Sequence, residues 1–521
     1  MPEQPVPLAW QLRAGVRLDA KYRNAVINEL YEHEERVAAP LLDADTATVL
    51  TDALEARRTA LLWALPTALV WIAGFFFAGW LFSLYAAGCA ALFGAAVVLG
   101  DRTAPLPASA AARRPGPAAR LAGGALRALG RSVLLGYAVL AVPTARSADW
   151  PTAAAAFGGP ALLAAVTWAH RTAIVKRLGR VTQPHASVEQ PRSLRLGRIT
   201  QLLRAEQGSA LVVNRPGTPF PGSGRVVSSV GLTVDVRGRT DGLFAPALLT
   251  RVARAVREMP HFVDQVDEVF LLPEERAPAR HPLARSPYWP HDTTSPSARP
   301  GTRWLRIVSR SPGPHLTTVF VQIRRDGRFL SIEQSTCVLP PVRRDFTHLP
   351  GSRYDPYDSS QRPASGVQVL SQVLVRSPLA SATLLAELAT WSLRQVRRMS
   401  SPPSGRPPSG PHTSIRELAA EPDLPALAAA DAERISRAVR LLVLDTVRAA
   451  LRDQGLSAPG LDEDQAEVYG VQSGGIHIGN ISPGTLATGY SARARGTTSH
   501  TSPGPTTNPD DDSWEDDDDL G

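Results

Sequence analysis

Two groups of side chains have the residue types that catalysis or metal binding requires. The first is a cluster of acids around one imidazole: Glu258, His261, Asp264, Asp267 and Glu268. In a helix, the spacing of three would place His261, Asp264 and Asp267 on one face, where nitrogen and oxygen ligands can share a metal ion. The apolar residues of Val266–Leu272 instead predict a strand, which would separate these side chains. We therefore expect a polar connection from a helix to a strand, and no metal site.

The second group centres on Cys337, with Asp345 and His348 downstream. A Cys/His pair is the minimum for thiol catalysis, but sequence spacing alone does not bring the two side chains together. The alternative is a small buried thiol at the end of a strand, and this is our expectation. The chain's other cysteine, Cys89, lies in an apolar run, and two cysteines cannot form a disulfide framework. The sequence therefore assigns no catalytic residue and no cofactor.

The composition excludes some classes of enzyme. Of 56 basic residues only Lys21 and Lys176 are lysines. The lysine of a phosphate-binding loop follows a glycine, whereas Ala20 and Val175 precede these two. Schiff-base chemistry would depend on the same two amines. The Gly-Ser-Gly at 222–224 lacks the spacing of a nucleophile elbow or of a dinucleotide loop, and it predicts a tight turn.

A membrane segment is the clearest feature of the chain. The 42 residues of Thr59–Gly100 contain no charged residue and no histidine, and as helix they would extend about 63 Å, or roughly two crossings of the hydrocarbon core. We predict a hairpin of Thr59–Gly79 and Trp80–Gly100 that turns near Ala78 and Gly79. Two further spans are predicted at about 126–145 and 151–169. The alternative for this second pair is two helices that lie in the membrane interface.

The charges around these spans predict their orientation. Arginines and one lysine flank the cytoplasmic ends in the four-span interpretation: Arg57, Arg58, Arg102, Arg113, Arg114, Arg120, Arg127, Arg131, Arg171, Lys176, Arg177 and Arg180. The predicted outer loop has Arg146 balanced by Asp149. The positive-inside rule then places both termini in the cytoplasm of a multi-pass cell-membrane protein. The net charge of +8 is explained by charge at the membrane surface, without nucleic acid. Because the first two spans lack ionisable groups, we expect an anchor and not a transporter.

The remaining segments are predicted from periodicity and composition. We predict a cytoplasmic helical segment at residues 1–58 and the transmembrane region at 59–170. A cytoplasmic α+β domain is predicted at 180–400, and a Pro/Ser/Gly linker follows at 401–412. The chain then continues as a helical segment at 413–456 and a Gly-rich, acidic and disordered tail at 457–521. The predicted strands are Ala210–Asn214, Val226–Arg237, Val266–Leu272, Arg303–Ser309, Thr317–Arg324 and Phe329–Thr336. We expect them to form an antiparallel sheet, with a hairpin turn at Asp326-Gly327. Helices are predicted at Ala247–Met259, from Ser377 and at Asp431–Gln454, and Ser414 with Glu417 matches a capping box.

Several of these motifs together resemble an uncharacterised family of actinobacterial multipass membrane proteins. The residues that carry the resemblance are Pro221–Gly224, Thr317–Ile323, Phe329–Pro341, Ser414–Glu417 and the glycine-rich Ser473–Asn480. The similarity covers most of the chain from about residue 195, together with the placement of the spans. The chain has fewer aromatic residues before Asp431 than the family, and its acidic terminus is also a departure. The resemblance implies architecture and membrane location, and no catalytic residue.

These observations lead to two functional hypotheses of different classes. The first is a non-enzymatic membrane protein in which helices anchor a cytoplasmic α+β domain as a scaffold or regulatory interaction protein. Its tail carries eight acids between Asp510 and Asp519 and would recruit a cytoplasmic partner or self-associate, or else serve only as a solubilising end. The alternative is a membrane-tethered enzyme with the His261 group or Cys337 at its centre. A deep pocket lined by those residues would favour the enzyme, and dispersed polar groups would favour the scaffold.

Overall fold

The computed structural model describes residues 7–99, 116–147, 150–181, 193–236, 245–259, 263–276, 301–310, 315–343, 346, 377–400, 409–456, 458 and 461. Most of the predicted linker and nearly all of the predicted tail lie outside the described residues, as do His261, Asp345 and His348. The described part contains a group of N-terminal helices, long apolar helices, and a six-stranded sheet with helices packed on it.

The secondary structure agrees closely with the predicted pattern from residue 210 onward. The helices are α1 (Leu8–Leu18), α2 (Ala20–Ile27, continued by a π-turn at Asn28–Glu32), α3 (Thr46–Val98), α4 (Pro117–Ser147), α5 (Trp150–Val181), α6 (Leu194–Gln207), α7 (Ala245–Arg257), α8 (Ser377–Ser400), α9 (Ile415–Ala419) and α10 (Ala426–Asp453). The strands are β1 (Leu211–Asn214), β2 (Arg225–Asp235), β3 (Gln265–Pro273), β4 (Thr302–Arg310), β5 (Leu316–Asp326) and β6 (Phe329–Leu339). Every helix and strand predicted between residues 210 and 454 is present.

Helix α3 reverses its direction at Gly79, whose backbone angles (φ 48°, ψ −117°) are not helical. Trp71 and Tyr85 are separated by about 21 Å along a straight helix, yet their ring centroids lie 5.9 Å apart. The chain therefore folds back on itself as a helical hairpin. The reversal is at the position that the sequence predicted.

Two helices in the described part are long and apolar enough to cross a membrane, Thr46–Val98 and Pro117–Pro143. The first contains nearly all of the two spans predicted before residue 100, and the second contains most of the span predicted at 126–145. The span predicted at 151–169 lies in α5, where some side chains are outside the described residues. The described residues therefore contain two helices that are long and apolar enough to span a membrane, and one of them folds back on itself. The sequence predicted four spans.

The apolar helices pack together through one face and expose another. Their shared core consists chiefly of Leu81, Phe82, Tyr85, Cys89, Leu134, Tyr137 and Leu163. On the outside, the exposed fractions of Leu69, Phe76 and Val139 are 67%, 81% and 71%. Large apolar side chains in such numbers on an outer face indicate contact with lipid or with another apolar surface.

The sheet is mixed, which corrects the prediction of an antiparallel sheet. Its strand order is β1-β3-β4-β5-β6-β2. The pair β1–β3 is parallel, with Leu211 opposite Phe270, and the other four pairs are antiparallel. Between β1 and β3 the chain runs to the far edge of the sheet as β2 and returns through α7, so β3 re-enters beside β1 in the same direction. The hairpin from β5 to β6 has the predicted turn, with Gly327 at a φ of 59°.

Helices α7 and α10 cover one face of the sheet. Their apolar side chains form a single core with the strands, including Val252, Val256, Leu305, Val319, Val321, Val439 and Val447. The part of the predicted helical segment at 413–456 that forms α10 thus packs against the sheet. Gly455, at a φ of 69°, follows the end of α10, as its sequence position predicted.

The N-terminal helices build a second core around the start of α3. Leu12 of α1, Val26 of α2, Leu50 of α3, Leu203 of α6 and Ile415 of α9 are all buried in it. The first turns of α3 therefore belong to a packed domain, and the same helix continues into the apolar stretch that begins at Thr59.

Candidate functional site

The acidic cluster near His261 is divided between elements. Asp267 and Glu268 are neighbours on β3 and so point to opposite faces of the sheet. Each is paired with an arginine of β4: Arg306 Nη2 lies 2.8 Å from Asp267 Oδ2, and Arg303 Nη2 lies 2.6 Å from Glu268 Oε1. The strand that the sequence favoured thus separates these carboxylates. His261 itself lies outside the described residues.

Cys337 is fully buried on β6, among aromatic and aliphatic side chains of the sheet that include Phe220, Trp304 and Phe320. Burial raises the pKa of this thiol to about 12, with a smaller contribution from Glu417. A nucleophilic cysteine needs the thiolate form near neutral pH, so this environment opposes thiol catalysis. Its proposed partners, Asp345 and His348, lie outside the described residues.

A cavity of about 530 Å³ lies where four distant parts of the chain meet. Its lining comes from α2, from the turn before β2, from the end of β6, and from α9 with the residues that flank it. The volume is within the range of about 300–1,000 Å³ typical of small-molecule sites. Polar side chains in the lining are Lys21, Tyr22, Thr218, Arg225, Arg343, His412, Thr413, Glu417 and Glu421. This cavity is our candidate functional site.

Two motifs that the sequence singled out meet at this cavity through Glu417. The capping box is formed: the Ser414 hydroxyl accepts from Glu417 N–H, and Glu417 Oε2 accepts from Ser414 N–H at 2.7 Å. The other oxygen, Oε1, accepts from the backbone N–H of Gly224 at 2.9 Å. One carboxylate therefore joins α9 to the turn that opens β2.

That turn requires glycine because of its backbone conformation. Gly222 and Gly224 have φ angles of 87° and 86°, a region that other residues rarely adopt. A Cβ atom on Gly224 would overlap the carbonyl oxygen of Val338 on β6. The close approach allows Gly224 N–H to reach Glu417, and it brings Arg225 to the cavity.

The cationic side of the cavity lies on and beside α2. Lys21 and Arg343 are 7% and 9% exposed. Arg343 Nη1 lies 2.8 Å from Asp19 Oδ2, and its guanidinium stacks 4.3 Å from the ring centroid of Phe346. Asp19 also caps α2, because its Oδ1 accepts from the N–H groups of Lys21 and Tyr22. Asp19 thus fixes both Arg343 and the start of α2.

Two further ionisable side chains of the lining are held neutral. Burial raises the pKa of Tyr22 well above its ordinary value, and its hydroxyl donates to the Ile415 carbonyl at 3.3 Å. Burial also lowers the pKa of His412, and the nearby Arg36 and Arg215 lower it further. The charges of the lining are therefore those of Lys21, its two arginines and its two glutamates.

A network of ion pairs surrounds the first turns of α3. Asp52 is almost fully buried and pairs with Arg13 and, at 2.8 Å, with Arg17. One turn further on, Glu55 pairs with Arg17 at 3.0 Å and with Arg177 of α5 at 2.7 Å. The network lies immediately before Thr59, where the apolar stretch begins, and it connects α1 and α5 to the helix at that point.

The sequence missed most of this site. Lys21 does not match a phosphate-binding loop, because Ala20 and not glycine precedes it. It lines a cavity because residues more than 190 positions further along the chain pack beside it. Two sequence motifs of the site were recognised, Pro221–Gly224 and Ser414–Glu417. Nothing in the sequence indicated that these two motifs are in contact in the folded protein. Among the described residues, neither Cys337 nor the acids near His261 line the cavity.

Comparison with known proteins bears on the part of the chain that includes the sheet. A family model described as an AbeC-like domain matches residues 196–482, more than half of the chain. No curated protein and no solved structure matches. The matched stretch begins after the apolar helices and includes the sheet, α10, and both motifs that meet at Glu417.

Proposed function

We propose that this chain, which belongs to the AbeC-like family, is an integral membrane protein that anchors a cytoplasmic α+β domain as a scaffold or regulatory interaction protein. The family match by itself supplies neither a reaction nor a ligand. The proposal therefore rests on the geometry of this chain and on its charge pattern.

The observation that carries the proposal is the continuity of α3. Its first turns, with Leu50 and Asp52, are buried in the N-terminal core. From Thr59 the same helix becomes uncharged, and it exposes large apolar side chains such as Leu69 and Phe76. A helix that passes from a packed domain into an apolar stretch without a linker holds the domain at a fixed orientation to the bilayer.

We assign four spans, with both termini in the cytoplasm of the cell membrane. The hairpin of α3 supplies two spans, and α4 and α5 supply the others. Exposed Leu162 and Trp168 on α5 support its assignment as a span. The arginines that flank these helices support a cytoplasmic location of the N-terminal core and the sheet by the positive-inside rule.

The partners that we propose are the lipid bilayer and a cytoplasmic protein. The acidic residues of 510–519 would recruit a basic partner or a second copy of the chain. We propose no role for nucleic acid, because the arginines next to the apolar helices explain much of the positive charge as charge at a surface of anionic lipid.

A membrane-tethered enzyme is the alternative, and the cavity is the observation that favours it. Those residues nominated for chemistry that the structure describes do not line the cavity, and Cys337 is buried among apolar groups. The polar groups that do line it include no pair of a nucleophile with a base at hydrogen-bonding distance among the described contacts.

Alkaline carbonate extraction tests the anchor. We expect the full chain to remain in the membrane pellet, whereas Leu69→Asp should release a large fraction, because it places a carboxylate on a lipid-facing position. Leu427→Asp is the matched control, because Leu427 is 79% exposed on α10, in the water-facing domain. Extraction of the unmodified chain by carbonate would refute the anchor.

Deletion of residues 505–521 tests recruitment. The full chain and the truncated chain are purified from solubilised membranes, and their co-purifying proteins and salt-dependent self-association are compared quantitatively. We expect the deletion to remove a specific partner or the self-association. If neither changes, the interaction role of the tail is wrong while the anchor stands.

A further inference from the structure

We propose that the cavity between α2, β2, β6 and α9 binds a small soluble ligand in which a phosphate or carboxylate group is attached to an apolar body. This ligand site is additional to the anchoring and recruitment proposed above. It does not depend on the number of membrane spans.

The anionic end of the ligand is matched by cations whose positions the structure fixes. Arg343 is held by Asp19 and by the face of Phe346. Lys21 follows the capped start of α2, so the backbone that carries it is also fixed by Asp19. Arg225 is exposed at the beginning of β2, next to the close contact between Gly224 and β6. Three cationic side chains from three distant segments thus line one cavity.

The lining carries two glutamates, Glu417 and Glu421, against three cations. Glu417 and the neighbouring Asp19 are occupied by structural bonds. Both oxygens of Glu417 accept backbone N–H groups, from Gly224 and Ser414. Asp19 accepts two N–H groups with one oxygen and pairs with Arg343 through the other. The backbone donors of Glu417 and Asp19 are therefore committed, and an added anion would share the Arg343 guanidinium with Asp19. Charge-assisted hydrogen bonds of an anion to arginine and lysine are among the stronger polar contacts in proteins.

The remainder of the lining is largely apolar, and it accounts for the apolar body of the ligand. Its apolar residues, the apolar wall, are Ala25, Val338, Leu339, Pro340, Leu418, Ala420, Pro422 and Leu424. Burial of an apolar body against such a wall is favourable by about 25 cal/mol per Å². An amphipathic anion should therefore bind better than either an inorganic anion or a neutral apolar molecule.

Isothermal titration of the full chain in phosphatidylcholine nanodiscs tests the site, with phenyl phosphate, benzoate, inorganic phosphate and benzyl alcohol as probes. We expect saturable binding of phenyl phosphate or benzoate, with affinity at least about tenfold higher than that of inorganic phosphate or benzyl alcohol. Arg225→Gln should weaken the binding of the amphipathic anion by about tenfold or more. Arg254→Gln, at an exposed arginine of α7, is the matched control and should leave the affinity unchanged.

A second variant separates the cavity from general surface charge. Ala25→Leu enlarges a side chain of the apolar wall and should also weaken binding, while the anion-binding arginines stay in place. Equal losses with Arg225→Gln and Arg254→Gln, no loss with Ala25→Leu, or no saturable binding of either amphipathic probe would overturn the proposal. Loss of binding in nanodiscs that contain phosphatidylglycerol would assign the site to a lipid headgroup and overturn a soluble ligand.

Discussion

The sheet and the junction around the start of α3 are stabilised in different ways. The sheet core consists of aliphatic side chains from four strands and two helices. The junction contains an apolar core as well, but it also buries the charges of Arg17, Arg23, Asp52 and Glu387. Apolar packing tolerates small displacements, whereas a buried ion pair depends on one geometry. This difference indicates that the junction specifies how α3 leaves the domain, and that the sheet holds the largest apolar core of the described residues.

The largest expected effect is at the centre of the junction. Asp52→Ala leaves Arg13 and Arg17 without their shared carboxylate and should lower the free energy of unfolding by about 3–5 kcal/mol. Urea unfolding of the full chain in nanodiscs measures the change. Asp453→Ala, which breaks an exposed pair with Arg251, should cost at most about 1 kcal/mol. Equal effects of the two substitutions would show that burial of the junction charges does not matter.

The corresponding substitution in the sheet removes apolar packing. Leu305 is completely buried in the sheet core, and Leu305→Ala should cost about 2–4 kcal/mol through lost burial and the cavity that remains. Leu427→Ala on the exposed side of α10 should change the free energy of unfolding by less than about 0.5 kcal/mol. The same urea titration measures both. A small loss at Leu305 would contradict the assignment of the main apolar core to this face of the sheet.

A smaller effect is expected where the sheet meets the candidate site. Gly224→Ala adds a Cβ that overlaps the Val338 carbonyl at a φ of 86°, and it should cost about 1–3 kcal/mol. Gly327→Ala is a matched control, because its φ of 59° is also positive but nothing lies within 4 Å of the added Cβ. We expect a cost of about 1 kcal/mol there. If Gly327→Ala is the more damaging substitution, the close contact between β2 and β6 is not as described.

The smallest effect is at the capping box. Ser414→Ala removes the hydroxyl that accepts from Glu417 N–H and should cost about 1 kcal/mol. Because Glu417 also binds Gly224, this substitution should additionally weaken the binding of an amphipathic anion to the cavity. Ser392→Ala on the exposed face of α8 should alter neither quantity beyond about 0.5 kcal/mol. Thermal unfolding and titration of the same samples measure the two effects.

Features with local causes could be predicted from the sequence, whereas features that join distant residues could not. The turn at Asp326-Gly327, the reversal at Gly79 and the capping box at Ser414 each depend on a few neighbouring residues, and each is present. The pair of Arg17 with Asp52 joins residues 35 positions apart, and no pattern among the many arginines of the chain selects it.

The parallel pair β1–β3 was missed for a related reason. Alternation of apolar residues predicts that a strand exists, and it does not specify the strand beside it. The candidate site was missed because its lining converges from residues 21, 225, 343 and 417, which are far apart in the sequence. The sequence pointed instead to the acids near His261, of which Asp267 and Glu268 are paired with arginines of β4.

The position of the sheet relative to the membrane is the most direct test of the proposed function. Ala247 is exposed on α7, and Ala148 lies in the predicted outer loop. Ala247→Cys and Ala148→Cys are made separately in a Cys89→Ala background, where the buried Cys337 does not react in the folded protein. Intact cells and then lysed cells are treated with a membrane-impermeant maleimide. We predict labelling of the residue-148 variant in intact cells and labelling of the residue-247 variant only after lysis. Labelling at position 247 in intact cells would place the α+β domain outside and contradict a cytoplasmic scaffold.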